Sequence, residues 1–161
     1  MRRFTDISKK AQDRLIDATF KNLNRYFRVN YMDLKLESVL ESIFTELSDV
    51  INACHKTYQQ KVWKSCLDKI TILYTQCLLN SAGKIPKNAA DQLKEKLRDE
   101  IELFKGAFKG ALGANMINSS VKVLGEILNF LDASPSLISV AVIELRRSNG
   151  PGFNLKKVVK P

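Results

Sequence analysis

Few residues in this sequence could do chemistry, and their spacing argues against catalysis. His55 is the sole histidine, and no serine or aspartate stands beside it to complete a nucleophilic triad. Cys54 adjoins it, but Cys66 and Cys77 follow along a stretch with helical periodicity, three turns or roughly 16 Å apart. Two ligands so separated cannot share one ion. An odd count of three cysteines without a close-spaced pair is no disulfide framework either, so the reading is buried free thiols. The loop Ser81 to Lys87 holds one Gly-Lys step but lacks the longer glycine-rich pattern ending in Gly-Lys-Ser/Thr that cradles phosphate. Asp33, Glu37 and Glu41 form an acidic line, which reads as orientation and solubility rather than a metal site. Asn118-Ser119-Ser120 matches a glycosylation acceptor; without a secretory signal it reads as a helix cap. No cofactor or metal is expected, and the chain reads as non-enzymatic.

Charge is the property that remains. The formal net charge is +9, and it is unevenly spread. Residues 1–30 carry eight cationic and three acidic side chains, residues 31–55 one and five, and residues 56–87 six and one. Residues 88–147 balance, and the tail adds three lysines. Lys10, Arg14, Lys21, Arg25 and Arg28 would fall within about 60° of one another on a continuous helix, interrupted by Asp17. Such a stripe is either a solvated helix face or a docking surface for an acidic partner: a protein segment, anionic lipid or nucleic acid. Nucleic acid is the weakest of these, because most aromatics sit at core spacing and leave few base readers.

The elements that must position this stripe are helical throughout. Hydrophobic content of 45% with 27% charged residues is ordinary for a folded chain of one domain. The longest apolar run, Ile70 to Leu79, falls short of the roughly 20 residues needed to span a bilayer. The start of the chain has no apolar segment behind its arginines, so a cytoplasmic location is expected. A first helix is predicted from near Asp6 to about Val29, with Ile7, Ala11, Leu15 and Ala18 on its apolar face, widened by Leu23, Tyr26 and Phe27. A second runs from about Leu34 to Cys54, with Leu36, Val39, Leu40, Ile43, Leu47, Val50, Ile51 and Cys54 inward. Its acidic line could pair with the basic first or third helix. After a turn at His55 to Tyr58, a third helix to about Asn80 has an apolar face so broad that it must be buried on more than one side.

The organising helix is Asn88 to Gly113. Its residues Leu93, Leu97, Ile101, Phe104, Phe108 and Leu112 follow steps of three and four that place them on one stripe. Asn88 is the expected N-cap, with Asp91 in the first turn where a carboxylate suits the helix dipole. Gly106 and Gly110, in a tandem Phe-Lys-Gly-Ala repeat, suggest close packing of another helix or a bendable end. A connector through Ser120 leads to a fifth helix from about Ser119 to Leu131, with Val121, Leu124, Leu128 and Leu131 on one stripe. Ser134 and Pro135 restart a short apolar sixth helix to about Arg147. The expectation is an all-α antiparallel bundle of about six helices over residues 1–147, then a Gly/Pro break and basic tail over 148–161.

Four strings, ATFKNLNRYFRVNY, HKTYQQKVWKSCLDKI, PKNAADQLKEKLRDEIELFKGAF and SPSLISVAVIELRRSN, in this order and setting resemble the C-terminal region of the Sec-six family, exocyst complex component three. The resemblance covers roughly Ala18 to Asn149 and is strongest from Pro86 to Phe108. It implies a piece of a rod of stacked helical bundles, the architecture of tethering complexes. It also implies work in exocytosis: tethering secretory vesicles to the plasma membrane through other exocyst subunits and SNARE-related proteins. The family's proteins are several times longer, so this chain would correspond to their C-terminal end. No site residue is implied one by one, because the family's interfaces are surfaces. The alternative is a peripheral protein that binds anionic lipid such as phosphoinositides.

Overall fold

The first helix of the chain, α1, begins at Arg2 and stops at Leu23. It starts a turn earlier than predicted and ends well short of Val29. Beyond it the backbone tightens into a 3-10 turn at Asn24–Phe27 and bends at Arg28 and Val29. A second short turn, Tyr31–Asp33, is capped by Asn30, whose side chain accepts from the Met32 amide at 3.0 Å. The computed structural model describes residues 2–81 and 84–133. Among them the protein is all-α, with α2 at Leu36–Asn52, α3 at Lys56–Ser81, α4 at Ala90–Phe108 and α5 at Ala114–Asp132, and without a strand. The expected sixth helix and basic tail, residues 134–161, lie outside the described residues.

The core follows from apolar periodicity in α2, α3 and α4. In α2, Leu36, Val39, Leu40, Ile43, Leu47 and Ile51 are buried as predicted, whereas Val50, near the helix end, is exposed. The whole predicted stripe of the organising helix is buried: Leu93, Leu97, Ile101, Phe104, Phe108 and Leu112. α3 is covered on several sides, packing against α1, α2 and α5 and against the two short turns. Its polar core members are satisfied internally, with Thr71 and Thr75 donating to the carbonyls one turn back at 2.8 and 2.7 Å. Where α2, α3 and α4 meet, Phe44 stacks on Trp63 at 4.8 Å and Phe108 sits 5.1 Å from Phe44. α4 packs mainly on α5, and Lys94 and Arg98 both pair with Asp132 at 3.2 Å. Those cations, Lys94 first, hold the Asp132 carboxyl below its usual range.

Several local predictions are corrected. Asn88 does not cap α4, because a 3-10 turn at Lys87–Ala89 intervenes and the N-cap, Ala89, has no side-chain bond to give. The connector through Ser120 is helical from Ala114, since Ile117 and Val121 continue the apolar stripe and are buried. That places Asn118 and Ser119 inside α5 and removes their capping role. α5 buries Ile127 along with Val121 and Leu124, while Leu128 and Leu131 are half-buried. α3 starts at Lys56, so the turn before it is shorter than expected.

Among the described residues, Gly106 and Gly110 do not mark a close helix approach. A Cβ built on either meets no heavy atom within 4 Å among the described residues, and both are exposed. For Gly106 the reason is angular, because it points about 140° or more away from the apolar stripe, toward the open side of the helix. The helix ends at Phe108, so the second Phe-Lys-Gly-Ala unit falls on the turn that follows.

Candidate functional site

The five predicted cations are all exposed, and none enters an ion pair among the described residues. They do not share one helix face. Lys10, Arg14 and Lys21 keep to within about 40° on α1, but Arg25 and Arg28 follow after the α-helix has ended and the 3-10 turn has changed the step. The sequence pattern carried the 100° step through Asn22 and Asn24, residues of poor helix propensity, where the helix stops. The result is a basic edge with a corner in it. Arg25 lies over the ring of Tyr26 at 5.0 Å and donates to its hydroxyl at 3.3 Å. Those contacts, together with a bond from Ser42, hold the Tyr26 phenol below its ordinary pKa. Asp17, the interruption in the stripe, is drawn off to Lys69 of α3.

The apolar face predicted for α1 is also corrected. Phe4 and Ile7 are 85% and 65% exposed, and Ala11 and Ala18 are exposed as well. Among the described side chains of this helix the buried one is Ile16, about 100° away from Leu15 around the axis. α1 therefore presents Phe4, Ile7 and Ala11 outward, beside Arg3, Lys10 and Arg14. An amphipathic helix with this layout suits an interface between water and an anionic surface.

At the corner, where Arg28 leaves the 3-10 turn, a cavity of about 350 Å³ opens between the 24–30 segment, the end of α3 and the loop at Lys84. Two bonds hold its walls together. The Tyr31 amide donates to Ser81 Oγ at 2.8 Å, and the Cys77 thiol to the Val29 carbonyl at 3.4 Å.

A second polar cluster was not anticipated from the sequence. Glu100 of α4, 7% exposed, accepts from the hydroxyls of Tyr31, at 2.8 Å, and of Tyr74. The two phenols also touch each other at 2.6 Å. Lys96 donates to the other Glu100 oxygen at 2.8 Å and to the Leu34 carbonyl at 2.9 Å. Burial first, then the nearby carboxylate, pushes the Tyr31 phenol far above its ordinary pKa; burial and the charges of Tyr31 and Glu100 do the same to Tyr74. Neither can serve as a base near neutral pH. A signal for this cluster was present: Glu100 sits inside the α4 apolar stripe, three residues after Leu97 and four before Phe104, where a carboxylate needs partners. Lys96 four residues earlier supplies one of them.

The remaining chemistry-bearing residues stay apart. His55 is exposed and uses Nδ1 to accept from the Thr57 amide at 3.3 Å, tying down the start of α3. Cys66 and Cys77 are buried, Cys54 is half-buried, and burial pushes the Cys66 thiol up to about 12. Asp33, Glu37 and Glu41 are exposed and make no ion pair among the described residues, so they do not fasten α2 to the basic helices as predicted. No group of three potential metal ligands occurs among the described residues, and no described helix is long and apolar enough to cross a membrane. No protein-family model, curated protein or solved structure matches the chain.

Proposed function

We propose that this chain is a non-enzymatic helical interaction module that docks on acidic surfaces through its basic edge. The proposed setting is the one implied by the resemblance to the Sec-six family: vesicle tethering in exocytosis. Its partners there are other exocyst subunits and SNARE-related proteins, at the cytoplasmic side of the plasma membrane or on secretory vesicles. The observation that carries the docking reading is that Lys10, Arg14, Lys21, Arg25 and Arg28 are exposed and free of ion pairs among the described residues. Cations held this way raise association rates with acidic partners and make binding salt-dependent. The acid of the interior, Glu100, is already fully bonded by two phenols and a lysine, which suits a scaffold rather than a proton-transfer site. The test is co-purification of named exocyst subunits and SNARE proteins with the tagged chain, compared with a Lys10→Glu, Arg14→Glu, Lys21→Glu variant. Retention by the native chain and loss by the helical, folded variant is the expected result. Retention of none of them by the native chain would sink the tethering role.

A second reading, peripheral attachment to anionic lipid, is favoured by Phe4 and Ile7, which stand exposed beside the cations of α1. Flotation with phosphatidylserine vesicles separates the two. Lipid attachment requires a loss on Phe4→Ser, Ile7→Ser, whereas docking on an acidic protein is indifferent to that change.

A further inference from the structure

We propose that the cavity at the corner of the basic edge is a binding site for a phosphate ester. Its lining combines two exposed cations, Arg28 and Lys84, with the side-chain amides of Asn24, Asn30, Gln76 and Asn80, and no carboxylate is among its described lining residues. Neither cation is in an ion pair among the described residues. A volume of about 350 Å³ lies at the small end of ligand pockets and matches a compact polar group rather than an extended apolar one. The chemistry of the lining fits the same class. A guanidinium fork and an ammonium supply charge for a dianion, and amides supply donors and acceptors for phosphate oxygens and neighbouring hydroxyls. Asn30 commits its Oδ1 to the Met32 amide, which leaves its amide N–H groups as donors. The walls are held in place, because the Tyr31–Ser81 and Cys77–Val29 hydrogen bonds fasten the 29–31 segment to the end of α3.

The site shares Arg28 with the basic edge, but it rests on Lys84 and the side-chain amides as well. It uses none of the cations of α1, so it stands whether or not the edge docks a protein. The phosphate could come from a soluble ester or from a lipid headgroup. Two arms distinguish them: calorimetric titration of the full chain with inorganic pyrophosphate, and flotation with vesicles carrying phosphatidylinositol 4-phosphate or, at matched charge, phosphatidylserine. Binding of pyrophosphate supports a soluble phosphate. Preference for the phosphoinositide vesicles without pyrophosphate binding supports a headgroup. In either case Arg28→Gln, Lys84→Gln should weaken binding by about tenfold or more. The swap Arg28→Lys, Lys84→Arg keeps both charges and should recover it to within about threefold of the native chain. Lys56→Gln, Lys109→Gln, at exposed cations outside both the basic edge and the cavity, should leave it unchanged, and circular dichroism should report the same helix content for all variants. Absence of binding in both arms overturns the proposal. So does an equal loss in the Lys56, Lys109 variant, which would reduce the effect to general surface charge.

Discussion

Helices α1 and α4 carry the same kind of sequence pattern and meet opposite fates. Both space apolar residues three and four apart, and both place charges on the other side. In α4 the stripe ends in Phe104 and Phe108, which dock on Tyr74, Phe44 and Trp63 from α3 and α2. In α1 the stripe that includes Phe4 and Ile7 meets nothing comparable among the described residues, and burial at Ile16 comes from a different angle of the helix. Periodicity tells where a helix has an apolar face. Whether that face is covered depends on residues far away in sequence, and for a docking helix the uncovered face is the useful one.

Substitution within the two stripes breaks or upholds this contrast most directly. Phe104 is fully buried and meets Tyr74 edge-on at 5.4 Å. Phe104→Ala should cost about 3–5 kcal/mol, because it removes the ring and leaves a cavity that the aromatic neighbours cannot fill. Ile7→Ala should change stability by less than about 0.5 kcal/mol. Urea unfolding followed by circular dichroism measures both. Comparable costs at the two positions would mean that the α1 face is covered after all.

The next largest effect separates the apolar part of α4 from its polar insertion. Glu100→Ala leaves the Lys96 ammonium with the Leu34 carbonyl and the face of the Tyr31 ring but no counter-charge, and takes from the two phenols their shared acceptor, a loss of about 2–3 kcal/mol. Glu100→Gln keeps the shape and should cost less. The coupling of Glu100→Gln with Tyr74→Phe, read from a double-mutant cycle, should exceed about 0.5 kcal/mol. Independent effects would show that the cluster is only a set of neighbours.

This cluster also marks the limit of what the sequence made legible. The helical class and the core of α2, α3 and α4 were readable because local spacing determines which residues share a face. The joining of Tyr31 to Glu100, 69 residues apart, was not, because no local pattern encodes which helices meet. A charge inside an apolar stripe announces that partners exist without naming them. The basic edge was legible as composition, yet its corner was not, since the stop at Leu23 rests on small propensity differences near Asn22 and Asn24. The cavity beside Arg28 depends on that stop.

A smaller, pH-dependent effect probes the interior of α3. With the Cys66 thiol held up to about 12 by burial, the unfolded chain loses that proton at lower pH than the folded one. The associated stability is complete below the unfolded thiol's ordinary pKa and is lost as pH climbs toward the folded value. By pH 10 the loss should be about 1.5–2 kcal/mol. The phenols of Tyr31 and Tyr74, also raised, act in the same direction. Cys66→Ala should therefore flatten part of the decline in urea stability between about pH 9 and 11, leaving the tyrosine share. Thiol titration of the folded chain should modify half-exposed Cys54 ahead of Cys66 and Cys77.

The smallest effect has the opposite sign. Gly106 lies within α4 on its open side, and a methyl group there meets nothing within 4 Å among the described residues. Alanine reduces the freedom of the unfolded chain and favours the helix without a clash, so Gly106→Ala should stabilise the protein by about 0.5–1 kcal/mol. Gly110, beyond the last helical residue of α4, should respond less because it has no helix interior to reinforce. A destabilising Gly106→Ala would require another backbone to pass close to that face. The open side of α4 would then resemble its stripe, and the contrast with α1 would narrow to the single question of which surface a partner covers.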